Sequence, residues 1–403
     1  MTIQGKNVIY KLKKINWYIM RALVFHHPKK VSVDTVDDPK IEKQDDIIVK
    51  VTSTAICGSD LHILNGFVPQ TRPLIMGHEF MGIIEETGKD MKHLKKGDRV
   101  VVPFPIACGH CFFCDHGLTP HCENSNSNYG PEGGLLKQKG GALFGYTDLY
   151  GGYPGGQAEY VRVPYANFSP KKIDPELSDE EVLFLTDIFP TGWSAIDWAE
   201  LKGGETVVVF GCGPVGIMAQ KAAWLKGAGR VIGVDVLDYR LKIAAKAANS
   251  ETLNLHKTDV VQEIRDRTDG RGADVCVDAV GMEAYRSTWE KVSNVLHGQA
   301  GTINVIKLCA SAVRRGGVIS VVGVYGSPYS NFPFGQIFDK GVTVKTGQAL
   351  VQHYIDELLE LVKTKKVVLN DIITHTLPLE QAAYAYDIFL KKKDNCLKVI
   401  LKP

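Results

Sequence analysis

Residues 206–216 read TVVVFGCGPVG. A β-branched apolar run delivers the chain into Gly-x-Gly-x-x-Gly, and a helical-type run, PVGIMAQKAAWLKGA, leaves it. A strand that passes into a helix across three glycines is the first half of a parallel β-α-β unit. Gly211 permits the tight turn. Gly213 lets a pyrophosphate approach the backbone, and Gly216 lets the helix pack against the strand. Pro214 and Val215 complete the motif where the helix opens, with free N–H groups and a positive dipole end. Asp235 ends the next apolar run, RVIGVDV, where a carboxylate accepts hydrogen bonds from ribose hydroxyls and repels a 2′-phosphate. The expected cofactor is therefore NAD rather than NADP. Arg240, a little further on, is expected either against an adenine or on the solvated surface. Cys212, inside the loop, reads as an inert small residue.

The same alternation continues. Strand-type runs at 230–236, 273–281 and 316–324 are interleaved with helical ones, which predicts a doubly wound parallel sheet, the Rossmann arrangement. Residues 20–170 differ. Short β-type runs at 47–54, 81–88, 98–104 and 157–164 are separated by Gly, Pro and Asp, as in a compact antiparallel domain. Within it, residues 124–156 form a long polar, glycine-rich stretch, and such loops serve function or lack order. A helix over 353–366 and a last strand near the end close the chain; 403 residues suit two domains.

Bulk properties narrow the function classes. A net charge of +2 gives no nucleic-acid footprint. No apolar window reaches the ~18 residues of a membrane span. The first twenty residues lack the apolar core and cleavage site of a secretory signal. Nine cysteines, an odd number, point to metal thiolates in the cytoplasm rather than to a disulfide framework.

Four of them, Cys108, Cys111, Cys114 and Cys122, are spaced C-x2-C-x2-C-x7-C, which suits tetrahedral zinc. Four thiolates fill the shell, so this site is expected to be structural, with His110, His116 and His121 outside it. A catalytic zinc needs an open position and three ligands from elsewhere. Three segments offer candidates: AICGSDLH with Cys57, MGHEF with His78 and Glu79, and LTDIFPTGW with Asp187. Spacing does not assemble them. Taken singly, Cys57 reads as a core thiol and Asp187 as a cap for a helix starting near Pro190.

CGSDLH (57–62), GHE (77–79), the four-cysteine lobe, GCGPVG and Asp235 together resemble the zinc-dependent medium-chain alcohol dehydrogenase family, from about Met20 to the C-terminus. The stretches 140–168 and 186–193 are similar to its glutathione-independent formaldehyde dehydrogenase branch. The resemblance implies a GroES-like β-rich catalytic domain (20–189 and 346–403), a Rossmann NAD-binding domain (190–345) and an N-terminal extension (1–19). It implies a catalytic zinc on Cys57, His78 and Asp187, and a structural zinc on the four cysteines, hence two zinc ions per chain. Asp60 would orient His78, and Glu79 would approach the metal transiently. Ser59 and His62 would relay a proton, with His62 near the surface. A small alcohol or aldehyde would be the substrate, and a homodimer or homotetramer the assembly, with an edge strand near 316–326. The loop matching 124–156 would retard NAD release. Two departures bear on the pocket: an insertion over 281–316 and a short segment after 321–326. A polyol- or threonine-type dehydrogenase shares CGSDLH and GHE. A non-catalytic zinc- and dinucleotide-binding redox sensor would lack a ligand or relay residue, and all are present.

Overall fold

The sequence encodes two kinds of sheet. In a computed structural model, which describes residues 19–128, 140–283, 302–326 and 329–403, each kind appears. The six-stranded sheet is parallel throughout, in the order Glu251–Asn254, Arg230–Asp235, Thr206–Phe210, Ala273–Asp278, Val313–Val321, Thr343–Thr346. Its central strands are apolar on both sides because helices cover both faces. Val207, Val209, Val275 and Val277 pack with Ala219, Ala222, Leu241 and Ala244 from the helices Pro214–Leu225 and Asp238–Ala247. Val208, Phe210 and Cys276 point the other way, onto Ile264, Val305 and Cys309 of Val260–Asp266 and Asn304–Ala312.

The strand read at 316–324 is therefore not an edge. Val313–Val321 lies inside the sheet, because the chain runs on through the helix Phe334–Lys340 and returns as Thr343–Thr346, outside it and parallel to it. The segment 281–316 contains the helix Asn304–Ala312; residues 284–301 lie outside the described residues.

The remaining sheets are largely antiparallel. Ile47–Ala55 is central, pairing with Glu79–Thr87, Tyr160–Val163 and Val399–Lys402. The C-terminal strand thus joins a sheet built by residues some 350 positions earlier, through the register Ile400↔Ala55 and Leu401↔Thr54. A three-stranded sheet, Lys30–Asp37, Ile19–His27 and Leu74–Ile75, lies beside it. Ile19 begins its middle strand, so the expected extension yields its last residue to the fold; residues 1–18 lie outside the described residues. Of the long stretch 124–156, residues 129–139 lie outside the described residues, and the described part packs into the fold. Ala142–Leu143 pairs with Pro105–Ile106, and Phe144 and Tyr146 are buried. Among the described residues, no helix is long and apolar enough to cross a membrane.

Candidate active site and metal centres

Among the described residues, two groups of ligand-type side chains converge, each with its ligand atoms within 4.8 Å of one another. The first is Cys108, Cys111, Cys114 and Cys122. The short helix Phe112–Asp115 and the turn Thr119–His121 bring them together. The Cys108–Cys114 and Cys111–Cys122 sulfur distances are 3.9 and 4.0 Å. A tetrahedral zinc with Zn–S of ~2.3 Å needs sulfurs ~3.8 Å apart, so the cage fits that ion. The Cys108 amide donates to the Cys122 sulfur (3.3 Å), and Asn124 Nδ2 donates to that of Cys108 (3.2 Å), as thiolates require. The neighbouring imidazoles turn to backbone carbonyls: His110 Nδ1 is 2.9 Å from Cys108 O and His116 Nδ1 is 2.7 Å from Phe112 O.

The second group is Cys57, His78, Glu79 and Asp187, all buried. Cys57 follows the strand Ile47–Ala55, and His78 immediately precedes Glu79–Thr87. These strands are antiparallel neighbours with Ala55 opposite Glu79, which places the two ligands at one end of the sheet. Asp187 arrives from the handover to the helix Ile188–Asp197. It stands at the N-cap of that helix but makes no side-chain cap bond. Its Oδ1 accepts from the Thr191 hydroxyl (2.8 Å), and its Oδ2 lies 3.2 Å from both Cys57 Sγ and His78 Nε2.

The histidine is held from behind. His78 Nδ1 is 3.1 Å from Asp60 Oδ1, while Asp60 Oδ2 accepts from the Cys57 amide (3.0 Å) and Gln157 Nε2 (3.3 Å). Gly77, with φ +94°, brings the chain so close to Gln157 that a Cβ would meet its Cγ at 2.3 Å. Glu79 is bound on one side only. Oε1 accepts from Lys398 Nζ (2.5 Å), and Oε2 has no hydrogen-bond partner among the described residues. Glu79 and Lys398 are both fully buried.

Electrostatics describe a site built for a cation. Burial, then the Asp187 carboxylate, push the Cys57 thiol up to about 11. Burial pushes the Glu79 carboxyl up to about 7 against the pull of Lys398. A dication among one thiolate, one imidazole and one carboxylate would relieve both penalties, and the donor set suits zinc with a position left open.

Ser59 Oγ lies 3.2 Å from His78 Nε2. His62 corrects an expectation: it is buried, 5% exposed, not near the surface. The helix Asp60–Leu64 turns it inward, and burial pushes its pKa down to about 4. Its Nδ1 lies 3.5 Å from the hydroxyl of Tyr146. Sequence reasoning missed Tyr146, Thr191, Gln157 and Lys398. Lys398 alone left a signal, a cation inside the apolar strand-type run CLKVI. The others are joined to the site only by folding.

At the glycine loop, Gly211 has φ +100°, and a Cβ on Gly216 would lie 1.8 Å from Gly211 O. Gly213 is the N-cap and Pro214 the first residue of the helix Pro214–Leu225, with Val215 following. Asp235 Oδ2 accepts from the Cys212 amide (2.8 Å), and Oδ1 from those of Val236 and Leu237 (2.7 and 3.0 Å). The carboxylate is thus fixed at the carboxyl end of its strand, facing the loop. Arg240 is not a solvated surface residue: its Nη1 is 3.9 Å from Asp235 Oδ2, and its side chain is 15% exposed.

Comparison with known proteins agrees with this geometry. Residues 43–173 match the alcohol dehydrogenase GroES-like domain, and residues 214–306 the zinc-binding dehydrogenase domain. The chain is 47% identical to an uncharacterized zinc-type alcohol dehydrogenase-like protein of Bacillus subtilis, over 95% of this chain and all of that one. It is 34% identical to the glutathione-independent formaldehyde dehydrogenase of the same organism, over 89% of this chain and 86% of that protein. Among solved structures, an alcohol dehydrogenase from Thermus sp. ATN1 matches with a TM-score of 0.81 and 34% identity, over 95% of this chain and 99% of that one.

Proposed function

The chain belongs to the zinc-dependent alcohol dehydrogenase family, and from that premise we propose that it oxidises small primary alcohols, or aldehyde hydrates such as that of formaldehyde, with NAD. The observation that carries the reading is the buried convergence of Cys57, His78 and Asp187 from three separate segments, with Glu79 beside them.

Zinc held there would supply a Lewis acid that stabilises negative charge developing on the alcohol oxygen, and NAD the hydride acceptor. The protein's own part is placement. Asp60 keeps the Nε2 edge of His78 turned to the cluster. Thr191 fixes one oxygen of Asp187 so that the other faces Cys57 and His78. Glu79, whose Oε2 has no hydrogen-bond partner among the described residues, would offer the metal a further carboxylate donor. Ser59 and His62 take up the alcohol proton. Gly211, Gly213 and Gly216, with Pro214 and Val215, cradle the pyrophosphate; Asp235 reads the ribose and Arg240 lines the adenine side. The four-cysteine cage holds the structural zinc.

An assembly of two or four copies is supported by the sheet edge at Thr343–Thr346 and by exposed Phe334 and Phe338 on the helix that leads into it. A cytoplasmic setting is supported by nine free cysteines. The testing experiment is a panel of alcohols, diols and aldehydes assayed with NAD alongside zinc content. Two zinc ions per chain and turnover of short primary alcohols or formaldehyde are expected; preference for vicinal diols would reassign the substrate to the polyol class.

A further inference from the structure

A relay that ends on a surface histidine delivers its proton to water and needs no further partner. His62 is buried, so the state of its ring is set by the protein. A neutral imidazole carries hydrogen on one nitrogen and can accept a proton only on the other. Something must therefore decide which nitrogen is bare.

Several polar groups surround this ring. Asp60 lies on its own helix, and His78 comes from the turn before Glu79–Thr87. Tyr146 comes from the 140–152 segment, with its hydroxyl 3.5 Å from His62 Nδ1 and 84 residues away in sequence. Tyr150 stacks edge-on against Tyr146, ring centroids 5.4 Å apart. The Tyr146 phenol is buried, 6% exposed, and burial raises its pKa, so it stays protonated and neutral.

The segment carrying Tyr146 is fastened to the metal cluster. Gly145 has φ +52°, and a Cβ there would lie 2.5 Å from Gly77 O. That backbone contact sits one residue before Tyr146 on one side and one residue before His78 on the other. Beyond it, Arg72 Nε donates to Asp148 Oδ1 (2.8 Å), and the Asp148 amide donates to Gln70 Oε1 (2.9 Å). Asn126 Nδ2 donates to Leu149 O (2.9 Å). The backbone on both sides of Tyr146 is thus held against the turn that carries His78, which sets where its phenol meets the His62 ring.

We infer that Tyr146 is a positioning residue of the proton path: its phenol oxygen accepts from Nδ1–H of His62 and so keeps Nε2 bare to take the proton released by the alcohol. When Nε2 takes that proton, the ring becomes an imidazolium and the Nδ1–H bond to the phenol strengthens; Nε2 then yields the proton to water before the next turnover, which returns the ring to its neutral Nδ1–H form. Tyr146 itself gains and loses no proton. The inference rests on the relay reading of His62.

The test uses the zinc-loaded enzyme with NAD and the best primary alcohol of the panel, comparing wild type, Tyr146→Phe, His62→Gln and the double variant. Tyr146→Phe keeps the ring and its packing. Expected is a fall in kcat of about tenfold with KM nearly unchanged and an altered pH profile of kcat, below the ~10²-fold lower bound for direct acid–base groups. In the His62→Gln background the same change should have almost no further effect, because the phenol acts through the imidazole. Independently of turnover, ¹⁵N-histidine NMR should show His62 as the Nδ1–H tautomer in wild type and as a mixture in Tyr146→Phe. Equal losses in both backgrounds, or an unchanged tautomer, overturn the assignment. If His62→Gln itself leaves the pH profile of kcat untouched, the relay reading falls and this inference with it. If His62→Gln alters the profile and Tyr146→Phe does not, only the Tyr146 assignment falls.

Discussion

Asp187 sits where a helix cap would sit and does something else. Its two oxygens are divided between Thr191 and the Cys57–His78 pair, so the residue serves the cluster rather than the helix. An open three-ligand site loses its metal when any ligand is lost. Cys57→Ser or His78→Ala should therefore abolish turnover and remove about one zinc per chain while circular dichroism and Tm change little; metal analysis beside activity checks this. Lys398 and Glu79 make a different case. Both are fully buried, and truncating one leaves the other as an uncompensated buried charge. Lys398→Met should cost about 3–5 kcal/mol in urea unfolding, and Lys398→Met combined with Glu79→Gln should recover much of it. Asp235→Ala should narrow the preference for NAD over NADP, measured as the ratio of kcat/KM values; an unchanged ratio would remove Asp235 from the ribose.

At the scale of elements, one carboxylate ties three of them together. Asp179, on the helix Asp179–Val182, receives Thr52 and Ser53 hydroxyls (2.6 and 2.7 Å) from Ile47–Ala55 and two Arg99 nitrogens (3.0 and 2.7 Å) from Arg99–Val102. Burial works against its charge, yet the Thr52, Ser53 and Arg99 bonds hold its carboxyl below the ordinary aspartate range. A depressed folded pKa adds stability that is fully present above the unfolded value of ~3.9 and is lost as pH falls through the folded one. Asp179→Asn should thus destabilise by about 1–3 kcal/mol at pH 7, and the gap should shrink below pH ~4, as urea unfolding at stepped pH would show. The zinc lobe is the other element with a stability role. Its four sulfurs are its framework, so Cys111→Ser should lower Tm and remove the second zinc, with activity failing as a consequence.

For the whole molecule, the chain's last strand, Val399–Lys402, closes the sheet begun at Ile47 and delivers Lys398 to Glu79. Truncation before residue 396 should therefore disrupt the active-site end of the sheet as well as the tail. The helix Phe334–Lys340, which leads into the edge strand Thr343–Thr346, presents Phe334 and Phe338, 67% and 78% exposed. If copies associate there, Phe338→Asp should reduce the mass measured by light scattering, and an unchanged mass would place the interface elsewhere.

What the sequence by itself determined follows from local rules. The glycine loop, its strand and its helix are specified within about a dozen residues, because backbone approach and positive φ demand glycine there. Four cysteines within fifteen residues specify a cage in the same way, since short loops leave the sulfurs nowhere else to go. The open metal cluster was legible only by resemblance: Cys57, His78 and Asp187 span 130 positions, and no spacing rule connects them. Tertiary structure decided the rest. It turned His62 inward, moved the strand at 313–321 off the edge, folded part of a polar loop against the site and set Tyr146 and Lys398 beside it. The physical reason is the same in each case. Burial and partner geometry belong to contacts between distant segments, and such contacts exist only once both sheets have formed.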